Sequence, residues 1–203
     1  MTEPGPHDSA RDRATEALLA KAARGDSDAW RSVVSAYAPR VHGLLVSRCR
    51  DEELAEEITQ SVFCTVAVKL AGYIESGRFE SWLFRIAMNR LRDEMRRRAR
   101  QARPTDDVAM QEISARQGHR TTAADLEIHD KLRMALDRLS EGDREIIELR
   151  HTGGLSFREL SDFYEEPIGT LLARHHRALR KLRALLAELG VDGVDLDGEG
   201  GGT

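Results

Sequence analysis

The chain has 203 residues, 40% hydrophobic and 33% charged, with 31 Lys and Arg against 35 Asp and Glu for a net charge of −4. That length suits one medium domain or two small ones, and aromatics at only 5% beside abundant Ala, Leu, Glu and Arg favour helix over sheet, so an all-α protein is expected. The longest apolar runs, such as Val41 to Val46 interrupted by His42, fall far short of the roughly 18 residues of a membrane span, and two cysteines leave no disulfide framework.

The first residues, Met-Thr-Glu-Pro-Gly-Pro-His-Asp, carry neither a basic nor an apolar stretch, so no secretory signal is expected and the chain is expected to act in the cytoplasm. Residues 1–10 read as a disordered tail. A helix is predicted from about Arg11 to Arg24, ended by Gly25, and a second from the cap candidates Asp26 or Ser27, with Trp30, Val33, Val34 and Tyr37 at helical spacing. Pro39 is expected to punctuate it, a further helix running from there to about Arg50 with Val41, Leu44, Leu45 and Cys49. Asp51 is the N-cap candidate for a helix with Leu54, Ile58, Val62, Val66 and Leu70 on one stripe and acids in its first turn, where they suit the dipole; Gly72 should end it. Cys49 and Cys64 both fall in apolar-periodic stretches, where a free thiol behaves as a small hydrophobe. Without a second Cys pair or a His-x-x-x-His they match no zinc module, and no metal is expected.

After a short loop, Tyr73 to Arg78, a long helix shows Phe79, Trp82, Leu83, Ile86, Ala87, Leu91 and Met95 as its core face. Arg85, Asn89, Arg92, Arg96 and Arg100 lie opposite. Residues 85–103 carry a net charge of +6, a one-signed stripe that simple solvation does not require and that suits a polyanionic partner. Pro104 to Thr122 lacks a sustained apolar period and reads as a linker. A second helical unit begins near Asp125 with Leu126, Leu132, Leu136 and Leu139, and Ser140 with Asp143 signals a cap for Arg144 to Arg150, ended by Gly153-Gly154.

Ser156 and Glu159 have capping-box spacing before a short helix, Phe157 to Phe163, and Pro167 sits where a first-turn proline is tolerated in the next. Short helix, turn of Tyr164, Glu165 and Glu166, then a longer basic helix is the outline of a helix-turn-helix, whose second helix enters the DNA major groove. Ile168, Leu171, Ala178, Leu179, Leu182 and Leu186 form the packed face; Arg174, Arg177 and Lys181 form the outer one, in a stretch, 174–183, of net charge +5. His175 and His176 point about 100° apart on a helix and do not converge on a metal; His175 is expected near the packed face and His176 outward. The tail alternates Gly and Asp, has too little apolar surface to order itself and lacks the ligand spacing of a calcium loop. The expected organisation is two small helical domains, 11–103 and 125–190, joined by a flexible linker, 104–124, with tails at 1–10 and 191–203.

Four stretches in order resemble one family. Ala55-Glu56-Glu57-Ile58-Thr59-Gln60-Ser61-Val62-Phe63, then Phe79-Glu80-Ser81-Trp82-Leu83-Phe84-Arg85-Ile86-Ala87-Met88-Asn89-Arg90, continued by Asp93-Glu94-Met95-Arg96-Arg97-Arg98, and finally Phe157 to Leu182 with Pro167-Ile168-Gly169-Thr170 and Arg174-His175-His176-Arg177-Ala178, are similar to segments of bacterial sigma factors of the extracytoplasmic-function (group IV) type. The likeness spans most of 27–189. It implies a dissociable initiation factor that performs no bond chemistry and needs no cofactor. It implies as partners core RNA polymerase, through its β′ clamp helices and β flap, promoter DNA and an anti-sigma factor, without membrane insertion. By that resemblance Glu56, Glu57, Gln60 and Phe63 bind core polymerase, and Trp82, Phe84, Arg85, Asn89, Arg92 and Arg96 bind the minus-ten element. Thr170, Leu172, Ala173, Arg174, His176 and Arg177 face the minus-thirty-five element.

The residue chemistry agrees. Strand opening needs phosphate neutralisation and aromatic faces for unstacked bases; Asn89 offers a base edge both donor and acceptor, whereas arginines at 85, 92 and 96 suit phosphates. Trp82 and Phe84 equally fit a pure core role. Leu172 and Ala173 stand where the family has a Lys or Arg and a Ser, and Glu165 where it commonly has Gly. Leu and Ala can touch a thymine methyl but cannot pair bidentately with guanine. Glu56 and Glu57 as catalytic carboxylates would need separated environments and shifted pKa values, and no nucleophile, metal or phosphate-loop motif accompanies them. The alternative is an autonomous helix-turn-helix regulator that binds duplex DNA without polymerase.

Overall fold

A computed structural model describes residues 6–73, 77–101 and 123–191. Within them run eight helices, α1 (Pro6–Ala23), α2 (Ser27–Cys49), α3 (Glu52–Leu70), α4 (Phe79–Gln101), α5 (Ala123–Asp137), α6 (Glu141–His151), α7 (Phe157–Tyr164) and α8 (Ile168–Glu188), and no strand occurs among the described residues. The chain divides into two compact units, built around α1–α4 and α5–α8. The expected linker, but for its last two residues, and all but the first residue of the expected C-terminal tail lie outside the described residues, as do the first five residues of the chain.

In the first unit the caps foreseen from the sequence form. Asp26 Oδ1 accepts the N–H groups of Asp28 and Ala29, both at 3.0 Å, and Asp51 Oδ1 accepts that of Leu54 at 2.9 Å, each satisfying donors a helix start leaves over. Pro39 does not punctuate: α2 runs through it as one helix. The proline deletes the N–H that would reach the Ser35 carbonyl, but both residues are exposed, so water can take that acceptor. Val33, Tyr37, Val41, Leu44 and Leu45 are buried on a continuous stripe either side of it. Five such side chains, at about 1.5–3 kcal/mol each, outweigh the roughly 3 kcal/mol of an interior proline.

The core stripe of α4 is rotated from the expected one. Phe79, Leu83, Phe84, Ala87, Met88 and Leu91 are buried, while Trp82 and Ile86 are half-buried and Met95 is 47% exposed. The reason lies on α2. Glu80 faces inward, its side chain only 8% exposed, and accepts a hydrogen bond from Arg40 Nη2 at 2.5 Å. The Arg40 guanidinium in turn lies over the rings of Tyr37 and Phe84, 5.5 Å from each centroid. A buried carboxylate is tolerated when paired, and this pair turns the Glu80–Phe84 side of α4 toward the interior.

In the second unit α8 is the spine against which α5, α6 and α7 pack, through Leu171, Ala178, Leu179, Leu182 and Leu186. Ser140 Oγ accepts the Asp143 N–H at 3.3 Å and donates to Asp143 Oδ2 at 2.8 Å. The capping box forms as read: Ser156 Oγ accepts the Glu159 N–H at 3.2 Å and Glu159 Oε2 accepts the Ser156 N–H at 2.6 Å. Glu165 closes α7 in the left-handed region at φ 58°, a conformation that glycine adopts without a side-chain penalty. Pro167 is the N-cap of α8, one position earlier than a first-turn proline.

Candidate nucleic-acid and polymerase interfaces

Along α4, Trp82, Arg85, Asn89, Arg92 and Arg96 succeed one another at steps of three and four, which places them on one helical face. Trp82 is half-buried and lies on Tyr73, ring centroids 4.7 Å apart and planes 25° from parallel, with Phe79 5.9 Å away. Asn89 is exposed and its Oδ1 accepts from Arg92 Nη1 at 3.2 Å. Arg96, also exposed, stands 3.9 Å from Asp93. Aromatic, amide and cationic groups thus share one surface, the set single-strand capture draws on.

Phe84 is not part of that surface. It is 0% exposed, sealed under Arg40, and its expected place against DNA is corrected to the core. Other arginines of the basic stretch are tied down. Arg97 donates to both oxygens of Glu94 at 2.8 and 2.9 Å, and Arg98 spans Glu94 and Asp51 at 3.2 and 2.8 Å. The Arg97 hydrogen bond holds the Glu94 carboxyl below its usual range. The Leu54 N–H and then Arg98 do the same for Asp51. Arg98 thereby ties α4 to the start of α3, whereas Arg97 is paired within its own helix.

On α3, Glu56, Glu57 and Gln60 are exposed, Gln60 Nε2 donating to Glu56 Oε1 at 3.3 Å. Phe63 is 7% exposed and packs edge-on against Trp30, centroids 6.3 Å apart, so its expected contact with polymerase is likewise corrected to the interior. Steps of three and four from Glu57 pass instead through Gln60, Cys64 and Val68; Cys64 is exposed, not packed as its periodicity suggested, and Val68 is 81% exposed. That helical arithmetic was available in the sequence. Beside this face a cleft of about 460 Å³ opens between α3 and α4, with Glu57, Ile58 and Ser61 on one wall and Arg90, Asp93 and Arg97 on the other. Cys49 is half-buried, its Sγ donating to the Asp51 carbonyl at 3.3 Å, and burial pushes the thiol up.

On α8, Thr170, Ala173, His176 and Arg177 are exposed and Leu172 is half-buried, so most of the expected upstream surface is presented by the first three turns of the helix, the part that reaches base edges in helix-turn-helix complexes. Arg174 differs. Its Nη2 donates to Glu166 Oε1 and Oε2 at 2.8 and 2.7 Å, and its guanidinium sits 5.4 Å over the Tyr164 ring. His175 is buried as expected; its Nε2 lies 3.1 Å from that of His151, the two rings stacked. Sequence patterns had given no sign of Tyr73 beneath Trp82, nor of the Glu166 hold on Arg174.

Residues 33–101 match the sigma-70 region 2 family and residues 135–184 the sigma-70 region 4 family. The chain is 33% identical over 166 residues to the RNA polymerase sigma factor CarQ of Myxococcus xanthus, covering 81% of this chain and 93% of that one. It is 32% identical over 175 residues to the ECF RNA polymerase sigma factor SigK of Mycolicibacterium vanbaalenii, covering 84% and 88%. Among solved structures it is similar to CnrH in complex with the cytosolic domain of CnrY, with TM-score 0.64, 25% identity and coverage of 89% and 99%. The sigma factor RpoE, solved with the anti-sigma factor NepR from Bartonella quintana, shares the fold at TM-score 0.60 and 24% identity, covering 80% and 98%. No helix among the described residues is long and apolar enough to cross a membrane. The chain belongs to the extracytoplasmic-function sigma factors, which bind core RNA polymerase and direct it to promoter DNA for transcription initiation.

Proposed function

We propose that the exposed acidic face of α3 at Glu56, Glu57 and Gln60 docks on the β′ clamp helices of core polymerase, while the α4 face from Trp82 to Arg96 captures the minus-ten strand. The observation that carries this is the set of groups on one face of α4: a tryptophan stacked on Tyr73 and an exposed asparagine flanked by Arg85, Arg92 and Arg96. Aromatic faces hold unstacked bases, an amide can read an edge, and guanidinium groups neutralise phosphates. The exposed front of α8 then takes the minus-thirty-five element, with the second unit resting on the β flap.

In this reading the chain breaks and makes no bonds, requires no cofactor, and works in the cytoplasm where its polymerase partner is. The domains it uses are 11–103 and 125–190, the linker 104–124 letting both reach one promoter. An anti-sigma factor is its expected antagonist; the similar protein CnrH is solved with the cytosolic domain of CnrY, which supports a protein partner of that kind. Gel shifts of a cognate promoter with and without core polymerase test the assignment. A shift that requires both proteins is expected, and tight duplex binding by the chain alone would contradict it.

A further inference from the structure

Arg174 occupies the second turn of α8, on the face it shares with Thr170, Ala173 and Arg177. Unlike those three exposed residues, it is held from behind. One terminal nitrogen donates to both carboxylate oxygens of Glu166, at 2.8 and 2.7 Å, and the guanidinium carbon sits over Tyr164, 5.4 Å from the ring centroid. Tyr164 is itself fixed, its hydroxyl donating to the buried Glu145 at 3.2 Å. The Glu166 main chain is held too, its carbonyl accepting from Ser161 Oγ at 2.6 Å.

Such an arrangement changes what the helix can read. A surface ion pair alone is weak, but here moving Arg174 onto a base would forfeit the aromatic contact as well. It would also leave the Glu166 carboxylate unpaired at the mouth of a groove lined with phosphates, and like charges repel. Arginine is the side chain that pairs bidentately with guanine. The groups left at the front, the Thr170 hydroxyl and the Ala173 methyl, cannot; a methyl group fits the methyl of thymine. Arg177 and Arg180, both exposed, suit phosphates, which position the protein without reading sequence.

We propose that Glu166 is a specificity-determining residue: it withholds Arg174 from the bases, so that α8 reads its upstream element through a thymine methyl at Ala173 and not through a guanine contact. This rests on the assignment of α8 to the upstream element. The test is a binding selection by holoenzyme, full chain plus core polymerase, on promoters randomised over that element, with wild type, Glu166→Ala, Arg174→Ala and the double variant. Wild type and Arg174→Ala should select the same thymine-enriched bases, the variant binding all sequences more weakly by a common factor because Glu166 is left unpaired beside the phosphates. Glu166→Ala should add a guanine preference of roughly tenfold at one position, the size of a bidentate contact, and the double variant should lose it.

A guanine preference already present in wild type and lost in Arg174→Ala would overturn the proposal, as would an unchanged base profile for Glu166→Ala. Because Arg174→Ala could loosen the turn, Glu166→Gln, which keeps the shape and removes the charge, serves as a second variant and should show a smaller gain of the same guanine. Arg177→Ala is the control: it should weaken binding to all sequences alike. Without that loss the assignment of α8 itself fails; with it, an unchanged Glu166→Ala profile strikes the role of Glu166 alone.

Discussion

Trp82 lies face to face with Tyr73, their ring centroids 4.7 Å apart, so a side chain that is half-buried is supported from below by a second aromatic ring. A tryptophan so supported can offer its other face to a base without being reordered. Trp82→Ala should slow promoter opening by roughly tenfold or more, a stacking loss of about 1–3 kcal/mol, while core binding stays at the wild-type level. Permanganate reactivity of unpaired thymines reads the first quantity and a pull-down the second. Equal opening rates would remove Trp82 from the site.

Phe84 and Asn89 separate stability from reading. Phe84→Ala empties a fully buried position and should destabilise the first unit by about 3–5 kcal/mol. The chain's two tryptophans, Trp30 and Trp82, both lie in that unit and report its unfolding by fluorescence. Asn89→Ala, at an exposed site, should change stability by less than about 0.5 kcal/mol yet lower transcription from the cognate promoter. A variant that loses neither would refute the base contact.

Glu57 lies on the exposed face of α3 and lines the cleft shared with Arg97. Glu57→Lys should reduce core retention in a pull-down several-fold at low salt, less so at high salt, since an exposed charge contact is screened. Full retention would move the docking surface elsewhere.

The left-handed φ of 58° at Glu165 leads to a stabilising substitution. Glu165→Gly should raise the stability of the second unit by up to about 1 kcal/mol, the relief of a β-carbon in that region less the added freedom of the unfolded chain. Urea unfolding measures it, and a clear loss of stability would mean that the contacts of the glutamate outweigh its backbone cost.

His151 carries a pH dependence. Desolvation, followed by the charge of Arg150, pushes its pKa below the ordinary imidazole value, and its Nε2 already meets the Nε2 of His175. A base whose folded pKa is depressed takes up protons more readily when unfolded. Its contribution is therefore fully present above the unfolded value of about 6.5 and is lost as pH falls through the folded one. Thermal unfolding should show the second unit less stable at pH 5.5 than at 7.5, with the difference reduced in His151→Asn. An identical pH profile for that variant would exclude His151 as the cause.

Local rules reached the sequence-readable part of this protein. Asp51 as a cap and Ser156 with Glu159 as a capping box involve neighbours a few residues apart, and both form as the spacing implied. What failed was anything settled by distant partners. Whether Trp82 or Phe84 turns inward depends on Arg40 pairing with Glu80 from another helix, and two aromatics two positions apart give periodicity no means to choose. Pro39 is overruled by packing along the whole of α2. Arg174 reads as an outer cation because its charge is visible in sequence, whereas its capture by Glu166 depends on the fold of the turn.

The central claim is that two basic helical surfaces, on α4 and α8, act on promoter DNA only when polymerase holds them. Run-off transcription with purified core polymerase on genomic DNA, with start sites mapped, tests this most directly. Adding the chain should create a discrete set of new start sites that weakens several-fold when Glu57→Lys replaces the wild type; start sites unchanged by the wild-type chain would contradict the account.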